Sequence, residues 1–389
     1  MATLAIERTA TSKKTVRDLF LRLVLISVFP VLIYGFPLAL MWRGGEFVPE
    51  ASLIHRQTDA QHQILYGPAY SDPSPQFKFA SLIDRRLQVM ALGTSRVLQF
   101  RQQFFNPGVR FYNAGLTVRY AGEFDRVLDA IPPGHEPRVI IVSIDQYMLN
   151  PNWPQEPFLR YEVKPKTFWE SVHSASGIFF ASWKQFYEDF RAHKISIARV
   201  LDSRNSVSIR AIMTHSGYRN DGSEASGTSE SLANPKRFAV VDIRIRKGVA
   251  RFEPGQQISQ ERLAELRVFL EHARARGIYV VGFLPPFPPH IYDQIYHSPK
   301  YGYLEKLYPA LKPAFAEFGF PFFDYSDARS VGGSDAEAID GLHCSEKTYL
   351  RLYLDMLRHD SVLRSYSNPV VLSKALEEAH GNFYVFSNY

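Results

Sequence analysis

Nucleophilic catalysis through oxygen needs a hydroxyl, an imidazole and a carboxylate, and this chain places candidates for all three at element boundaries. Ser95 stands in Leu92-Gly93-Thr94-Ser95-Arg96. The short, mostly apolar run Gln88–Leu92 precedes it, and an amphipathic stretch through Val97, Leu98, Phe100 and Phe104 follows. That pattern reads as strand, tight turn and helix, with a hydroxyl at the turn. A serine there sits over backbone N–H groups that can face developing negative charge; it is equally a position where serine caps a helix. Asp340-Gly341-Leu342-His343, near the far end, favours the chemical reading. At a three-residue spacing the carboxylate can fold back to the imidazole Nδ1 and hold its tautomer. Nε2 then points outward as general base, with Ser95 as the nucleophile.

The elements that must position these groups alternate from Gln88 onward. Strand candidates are Gln88–Leu92, Val109–Asn113, Arg138–Ile144, Ile278–Phe283 and Pro321–Tyr325. Helices are predicted over Val97–Phe105, Ala121–Ala130, Ser259–Arg276, Tyr303–Phe318 and Ser345–Arg358. Short apolar strands separated by helical periods imply an α/β fold, a parallel sheet covered on both faces. Such sheets bind ligands at the carboxyl ends of their strands. Ser95, Asn113, Gly115, Ser143, Asp145, Pro285 and the Asp340–His343 loop all fall at those ends.

The N-terminal fifty residues read differently. Leu23–Trp42 is an uncharged run of 20 residues, about the length of one bilayer crossing. Arg8, Lys13, Lys14, Arg17 and Arg22 precede it against only Glu7 and Asp18, which places residues 1–22 in the cytoplasm and the rest outside. Pro30 and Pro37 are tolerated in a membrane helix. A cleaved signal peptide is the rival, but the run is longer than a usual signal core and bulky Met41-Trp42 offers no cleavage site. Residues 43–86 read as linker and stalk, 87–145 and 255–366 as two parts of one sheet domain, and 367–389 as a tail. Residues 146–254 form a large insertion or cap. It begins with the aromatic, proline-bearing stretch Asn150–Tyr161 and carries helix around Phe168–Phe190. Within it His215–Asn234 is Gly/Ser-rich and reads as a mobile surface loop, and Arg237–Ile245 as a strand.

Composition excludes several classes. A net charge of +6 spread over 389 residues, without a basic block interleaved with aromatics, gives no nucleic-acid groove. One cysteine, Cys344, excludes an internal disulfide and a cysteine-based metal site, and reads as a small buried residue. The twelve histidines show no ligand-like spacing with carboxylates, so no metal and no cofactor is expected. Arg96 and Arg119 are candidates for an anionic substrate near the serine, or for surface ion pairs. Asn113 is a candidate contact or a turn-stabilising side chain. Phe287 and His290 lie in the proline-stiffened Leu284–His290 loop at the expected rim.

The layout resembles the SGNH (GDSL-type) hydrolase superfamily over about Gln88–Arg358, interrupted by the insertion. That resemblance carries the nucleophile onto Ser95, the base onto His343 and its orienter onto Asp340. It also implies an oxyanion hole from the N–H groups of Ser95 and Gly115, and a three-layer parallel-sheet fold. The third block departs from the family. Where free esterases have Gly-x-Asn-Asp, this chain has Ser143-Ile144-Asp145-Gln146, so the asparagine donor is missing and an ionised Asp145 would repel an oxyanion. Losing one such donor costs about 3 kcal/mol of transition-state stabilisation.

An N-terminal anchor, a diverged third block and a large insertion together are similar to envelope O-acylation proteins of the DltD and AlgJ/AlgX type. The order serine first, Asp-x-x-His last, resembles the DltD arrangement more. This implies a single-pass protein of the bacterial inner membrane with its catalytic domain periplasmic or extracellular. It would move an acyl group, acetyl by expectation, onto a glycan hydroxyl, with a membrane-bound O-acyltransferase-type protein as partner. A membrane-anchored serine esterase or deacetylase, and a non-catalytic assembly protein on the same fold, are the alternatives.

Overall fold

The computed structural model describes residues 2–59, 62–71, 74–155 and 167–386. It resolves into two compact units: residues 1–49, 67–71 and 166–213 form one, and residues 50–66, 72–165 and 214–389 the other.

The second unit is an α/β domain around five parallel strands: β1 Val89–Gly93, β2 Phe111–Gly115, β3 Val139–Ser143, β4 Tyr279–Leu284 and β5 Phe322–Asp324. Their order is β2-β1-β3-β4-β5. Alternate residues of each strand feed different cores, because side chains on a strand point to opposite faces. Met90, Leu92, Ile140, Val142 and Val280 join a core with helices Glu123–Ala130, Gln260–Ala275 and Leu304–Ala316. Val89, Ala91, Ile141, Val281 and Phe283 join another with helix Glu346–His359. Both faces are covered, which is why β1 and β3 are buried at every residue. The strand order reverses between β1 and β3, and the carboxyl ends of that crevice are where such sheets bind ligands. Gly93 is level with Gly115 and Leu92 with Val142, so the turns after β1, β2 and β3 emerge side by side.

All five predicted strands and four of the predicted helices form within two residues of their expected ends. Four expectations need correction. Val97–Phe105 is not a helix but two single 3-10 turns, Ser95–Val97 and Gln102–Phe104. The second apolar period is spent burying Phe100 and Phe104 among Tyr349 and Tyr353 rather than continuing a helix. Arg237–Ile245 is helical over Ala239–Lys247, since only Val241 and Ile245, one helical turn apart, are buried. His215–Asn234 is not a free loop: Ser216–Tyr218 and Glu224–Ser226 pair antiparallel, and Tyr66 pairs with Tyr218. Its small residues allow close packing. A Cβ on Gly222 (φ +77°) would lie 2.4 Å from the Asn113 carbonyl, beside the bond that the Asn113 N–H donates to the Asp221 carbonyl at 2.7 Å. Finally, residues 74–83 are no stalk; helix Ser74–Ile83 buries Phe77, Lys78, Phe79 and Leu82.

The other unit holds the apolar N-terminal segment. Helix Ala2–Pro30 runs into a π-helical turn, Val31–Gly35, and on into helix Phe36–Gly44. Thr15–Gly44 is long and apolar enough to cross a membrane. Proline 30 carries no N–H to continue the regular ladder, and the Tyr187 hydroxyl donates to the carbonyls of Leu32 and Ile33 in the widened turn. Tyr187 belongs to helix Phe168–Arg191, whose Phe179 and Phe186 share a core with Leu40 and Met41. The interval 146–254 is therefore divided: its residues 167–213 belong with this unit and 214–254 with the sheet. Residues 156–166, which include the second half of the aromatic, proline-bearing stretch, lie outside the described residues.

Gly93 is required by a close approach rather than by turn geometry alone. A Cβ there would stand 2.1 Å from Ser143 Oγ. Gly93→Ala should lower the unfolding free energy by about 1–3 kcal/mol in a denaturant titration, and adding Ser143→Ala should restore part of the loss.

Candidate functional site

Of residues 91–100, only Ser95 is not buried. The cap of its 3-10 turn is the neighbour, Thr94, whose Oγ1 accepts from the Arg96 N–H at 3.1 Å and donates to Asp145 Oδ2 at 2.8 Å. The capping function assigned on sequence grounds as an alternative for Ser95 thus falls to Thr94. The Ser95 hydroxyl is left to another partner, His343.

His343 Nε2 lies 2.8 Å from Ser95 Oγ, across 248 residues of chain. On the other side of the ring, Nδ1 lies 2.9 Å from both Asp340 carboxylate oxygens. An ionised carboxylate only accepts, so Nδ1–H donates to it and Nε2 keeps a lone pair for the serine O–H. The loop that carries the pair is closed on itself. Asp340 Oδ1 accepts from the N–H groups of Leu342 and His343 at 2.7 and 2.8 Å, and the Ile339 N–H donates to the His343 carbonyl at 2.8 Å. Burial works against ionisation of Asp340, but the charge of His343 and these hydrogen bonds hold its carboxyl well below the usual range. Burial likewise works against the His343 imidazolium. Asp340, with a smaller push from Glu224, outweighs both burial and the opposing charge of Arg251, so His343 is raised above its ordinary value.

Two longer-range ties bring these halves together. Tyr349, in the helix that follows His343, donates its hydroxyl to the Arg96 carbonyl in the serine's turn. Arg101 and Glu346, both buried, form an ion pair at 2.7 Å. Glu346 also accepts from the N–H groups of Val385 and Phe386, so the aromatic tail packs onto the sheet domain here.

The remaining sequence candidates are distributed differently. Arg96 is buried, donates to the Pro285 carbonyl and Gln146 Oε1, and stacks on Phe287 with its guanidinium 4.0 Å from the ring centre. Phe287 is buried in that stack and is no rim residue. Asp145 is fully buried as the acceptor for Thr94, a support for the turn rather than a ligand contact. Asn113 is fully buried too, donating to the carbonyls of Val97 and Phe100. Its Oδ1 accepts the Gly115 N–H at 2.9 Å, which removes that N–H from an oxyanion hole in this arrangement. His290 stacks on Phe238 and pairs with Asp242 at 3.0 Å, away from Ser95. Cys344 is buried against the Pro286 carbonyl, and burial pushes its thiol up to about 12.

Arg119 is the one such candidate that does line the site. A cavity of about 540 Å³ beside His343 and Asp340 is walled by Arg119, Trp153, Arg244 and Arg251. Sequence reading missed Arg244 and Arg251. Arg244 was placed in a strand that is a helix, and Arg251 follows a glycine-bearing turn with no motif of its own. Two further features lie elsewhere. A larger cavity, about 700 Å³, opens at the amino ends of β1 and β2 and contains no hydroxyl–imidazole pair in its walls. Asp125, Asp129 and His272 cluster between two surface helices with metal-like spacing, but His272 pairs with Asp125 and Arg276 with Asp129.

The raised pKa of His343 sets a sign. A base raised by its partner stabilises the fold fully below its unfolded value, near 6.5, and this contribution is lost as pH rises through the folded value. Asp340→Asn removes the raising charge, so the His343 ring should titrate at lower pH than in the parent. Imidazole chemical shifts followed by NMR against pH check this; an unchanged midpoint would remove Asp340 as the cause.

No family model matches the chain, and neither a curated protein nor a solved structure does, so a functional reading rests on the geometry of Ser95, His343 and Asp340.

Proposed function

We propose that the chain is a serine O-acyltransferase of the SGNH type, anchored by its N-terminal helix and acting on a glycan outside the bacterial inner membrane. The observation that carries this reading is the hydrogen-bonded series Ser95 Oγ, His343 Nε2, His343 Nδ1, Asp340 at the carboxyl end of a parallel sheet. The basic residues before the apolar segment favour a cytoplasmic N-terminus and an exported sheet domain. A membrane-bound O-acyltransferase-type partner would supply the acyl group.

In this mechanism the Ser95 O–H proton passes to His343 Nε2 as Oγ bonds to the acyl carbonyl carbon. The bond from that carbon to the donor breaks, and the leaving group takes the proton from Nε2. A sugar hydroxyl then gives its proton to the freed Nε2 and attacks the acyl carbon. The C–Oγ bond breaks, and Ser95 Oγ recovers the proton from the imidazolium. Asp340 remains ionised throughout, fixing the ring and offsetting its transient charge.

The Gly115 N–H is occupied by Asn113, and the third-block position holds a buried acid instead of an amide donor. Each missing donor is worth about 3 kcal/mol in a typical hydrolase, which slows attack by water and by a sugar hydroxyl alike, so the choice of acceptor falls to how the glycan is bound and positioned. For transfer to a sugar, His343 must be neutral, and Asp340 raises its pKa, so the rate should climb with pH through a midpoint above the ordinary histidine value.

The test uses the full chain in detergent. A fluorophosphonate should label Ser95, Ser95→Ala should abolish both labelling and acyl transfer without loss of folding, and donor turnover should accelerate when glycan is added. Absence of labelling in folded protein would favour a non-catalytic assembly role, and fast donor hydrolysis indifferent to glycan would favour an esterase.

A further inference from the structure

Helix Phe168–Arg191 packs on the apolar N-terminal segment within one compact unit. Phe179 and Phe186 share a core with Leu40 and Met41, and Phe190 meets Phe36 edge-on at 5.2 Å. Beside this buried side runs a second arc: Trp169, Val172, Ser176, Phe180, Trp183 and Tyr187. Steps of three and four residues put them on one helical stripe. Much of that stripe faces outward. Phe180 is 66% exposed, Trp169 76% and Val172 44%. The exposed residues of the remaining arc are polar or small, among them Glu170, Gly177, Gln185 and Glu188. A single exposed apolar side chain means little, but a contiguous exposed stripe rimmed by polar residues marks a membrane or protein contact.

The stripe reaches the N-terminal segment at a definite level. Trp183 meets Tyr34 edge-on at 5.1 Å, and Tyr187 donates its hydroxyl to the carbonyls of Leu32 and Ile33. Those two residues stand at the middle of the uncharged run Leu23–Trp42, so a crossing made by that run carries the end of the stripe to the bilayer. Exposure fixes the boundary more closely. Every residue from Thr15 to Tyr34 is exposed, and burial within protein begins at Gly35. Twenty helical residues span about 30 Å, one hydrocarbon thickness. Glu188 and Arg191 are exposed and belong in water, so the helix stops at the surface. The outer edge of the hydrocarbon thus falls near Tyr34, where Tyr34, Trp183 and Tyr187 cluster as aromatic residues do at a membrane boundary.

We infer that helix Phe168–Arg191 is a second membrane contact, lying in the outer interface with Trp169, Val172 and Phe180 among the acyl chains. Lys184 borders the stripe, its ammonium 5.7 Å from the centre of the Trp183 ring. A four-carbon stem lets that charge reach the lipid phosphates while the ring stays in hydrocarbon. Lipid is the occupant because the stripe is continuous with the exposed wall of the crossing segment: a surface that touches that wall at Leu32–Tyr34 meets the same solvent. A lone crossing helix can rotate about its own axis, and a second contact lying in the membrane plane removes that freedom.

The inference rests on the anchored reading of the N-terminal segment, and one experiment separates the two. The full chain is placed in nanodiscs of phosphatidylethanolamine and phosphatidylglycerol, with a nitroxide on one introduced cysteine at a time; Cys344 is buried and does not compete for label. Labels at Val172→Cys and Phe180→Cys should collide more often with oxygen, which concentrates in acyl chains, than with a water-soluble nickel chelate. The ratio should be about threefold or more above that at Gln185→Cys and Glu188→Cys on the polar arc. All four positions are exposed, so the substitutions leave the packed side of the helix intact. Equal ratios at the four positions would overturn the inference. Water-like values at 172 and 180 would overturn it too, and would leave the stripe to a protein partner. Leu25→Cys reports the crossing itself and should read deeper than Phe180→Cys. Lipid at Leu25 with water at 172 and 180 sinks this inference alone, whereas water at all three sinks the anchored reading with it.

Discussion

The buried ion pair between Arg101 and Glu346 is the constraint on which the site's geometry depends. Arg101 follows Ser95 by six residues, and Glu346 follows His343 by three. Pairing them at 2.7 Å, with both side chains out of water, fixes one loop against the other more tightly than apolar contacts can, since packed hydrocarbon surfaces have no direction. Such a pair adds little net stability over a hydrophobic replacement, because desolvation cancels most of its attraction. Its value lies in registration. The Tyr349–Arg96 contact acts in the same direction, and between them the Ser95 oxygen and the His343 ring are left one hydrogen bond apart.

The polar groups beneath the serine follow the same logic of support. Thr94 caps the turn and is itself held by Asp145, so the acid at this position is a buried strut. Asn113 ties the carbonyls of Val97 and Phe100 to the end of β2. These side chains hold a segment that has too few backbone hydrogen bonds to hold itself, since two isolated 3-10 turns replace what would otherwise be a helix. A few accessible atoms thus stand on a frame of buried polar contacts.

Much of this was legible in the chain. The strands declared themselves because their residues are apolar on both faces and bounded by turn formers, and Ser95, Asp340 and His343 stood at turn positions with a meaningful spacing. What misled was local pattern overridden by packing. Val97, Leu98, Phe100 and Phe104 have helical spacing, yet the rings of Phe100 and Phe104 are drawn into the aromatic cluster around Tyr353. Arg237–Ile245 alternates like a strand but buries one helical stripe. His215–Asn234 looks like solvent loop because its residues are small and polar, and those are the residues that a tight hairpin against Asn113 and Lys78 requires. Roles that depend on burial, such as those of Arg96, Asn113 and Asp145, had no signature at all, for an arginine near a serine reads the same in sequence whether it faces a ligand or a proline carbonyl.

The distance in sequence between the paired charges has a consequence for biogenesis. Ribosomes make Arg101 long before Glu346, so through most of synthesis this buried pair cannot form. The loop bearing Ser95 should therefore stay hydrated and undocked on the nascent chain, while the N-terminal segment is already available to a membrane. Only when Glu346 and the tail residues that bond to it have emerged can the segment close. Docking of the Ser95 turn against His343 is in this way delayed until the sheet domain is nearly complete.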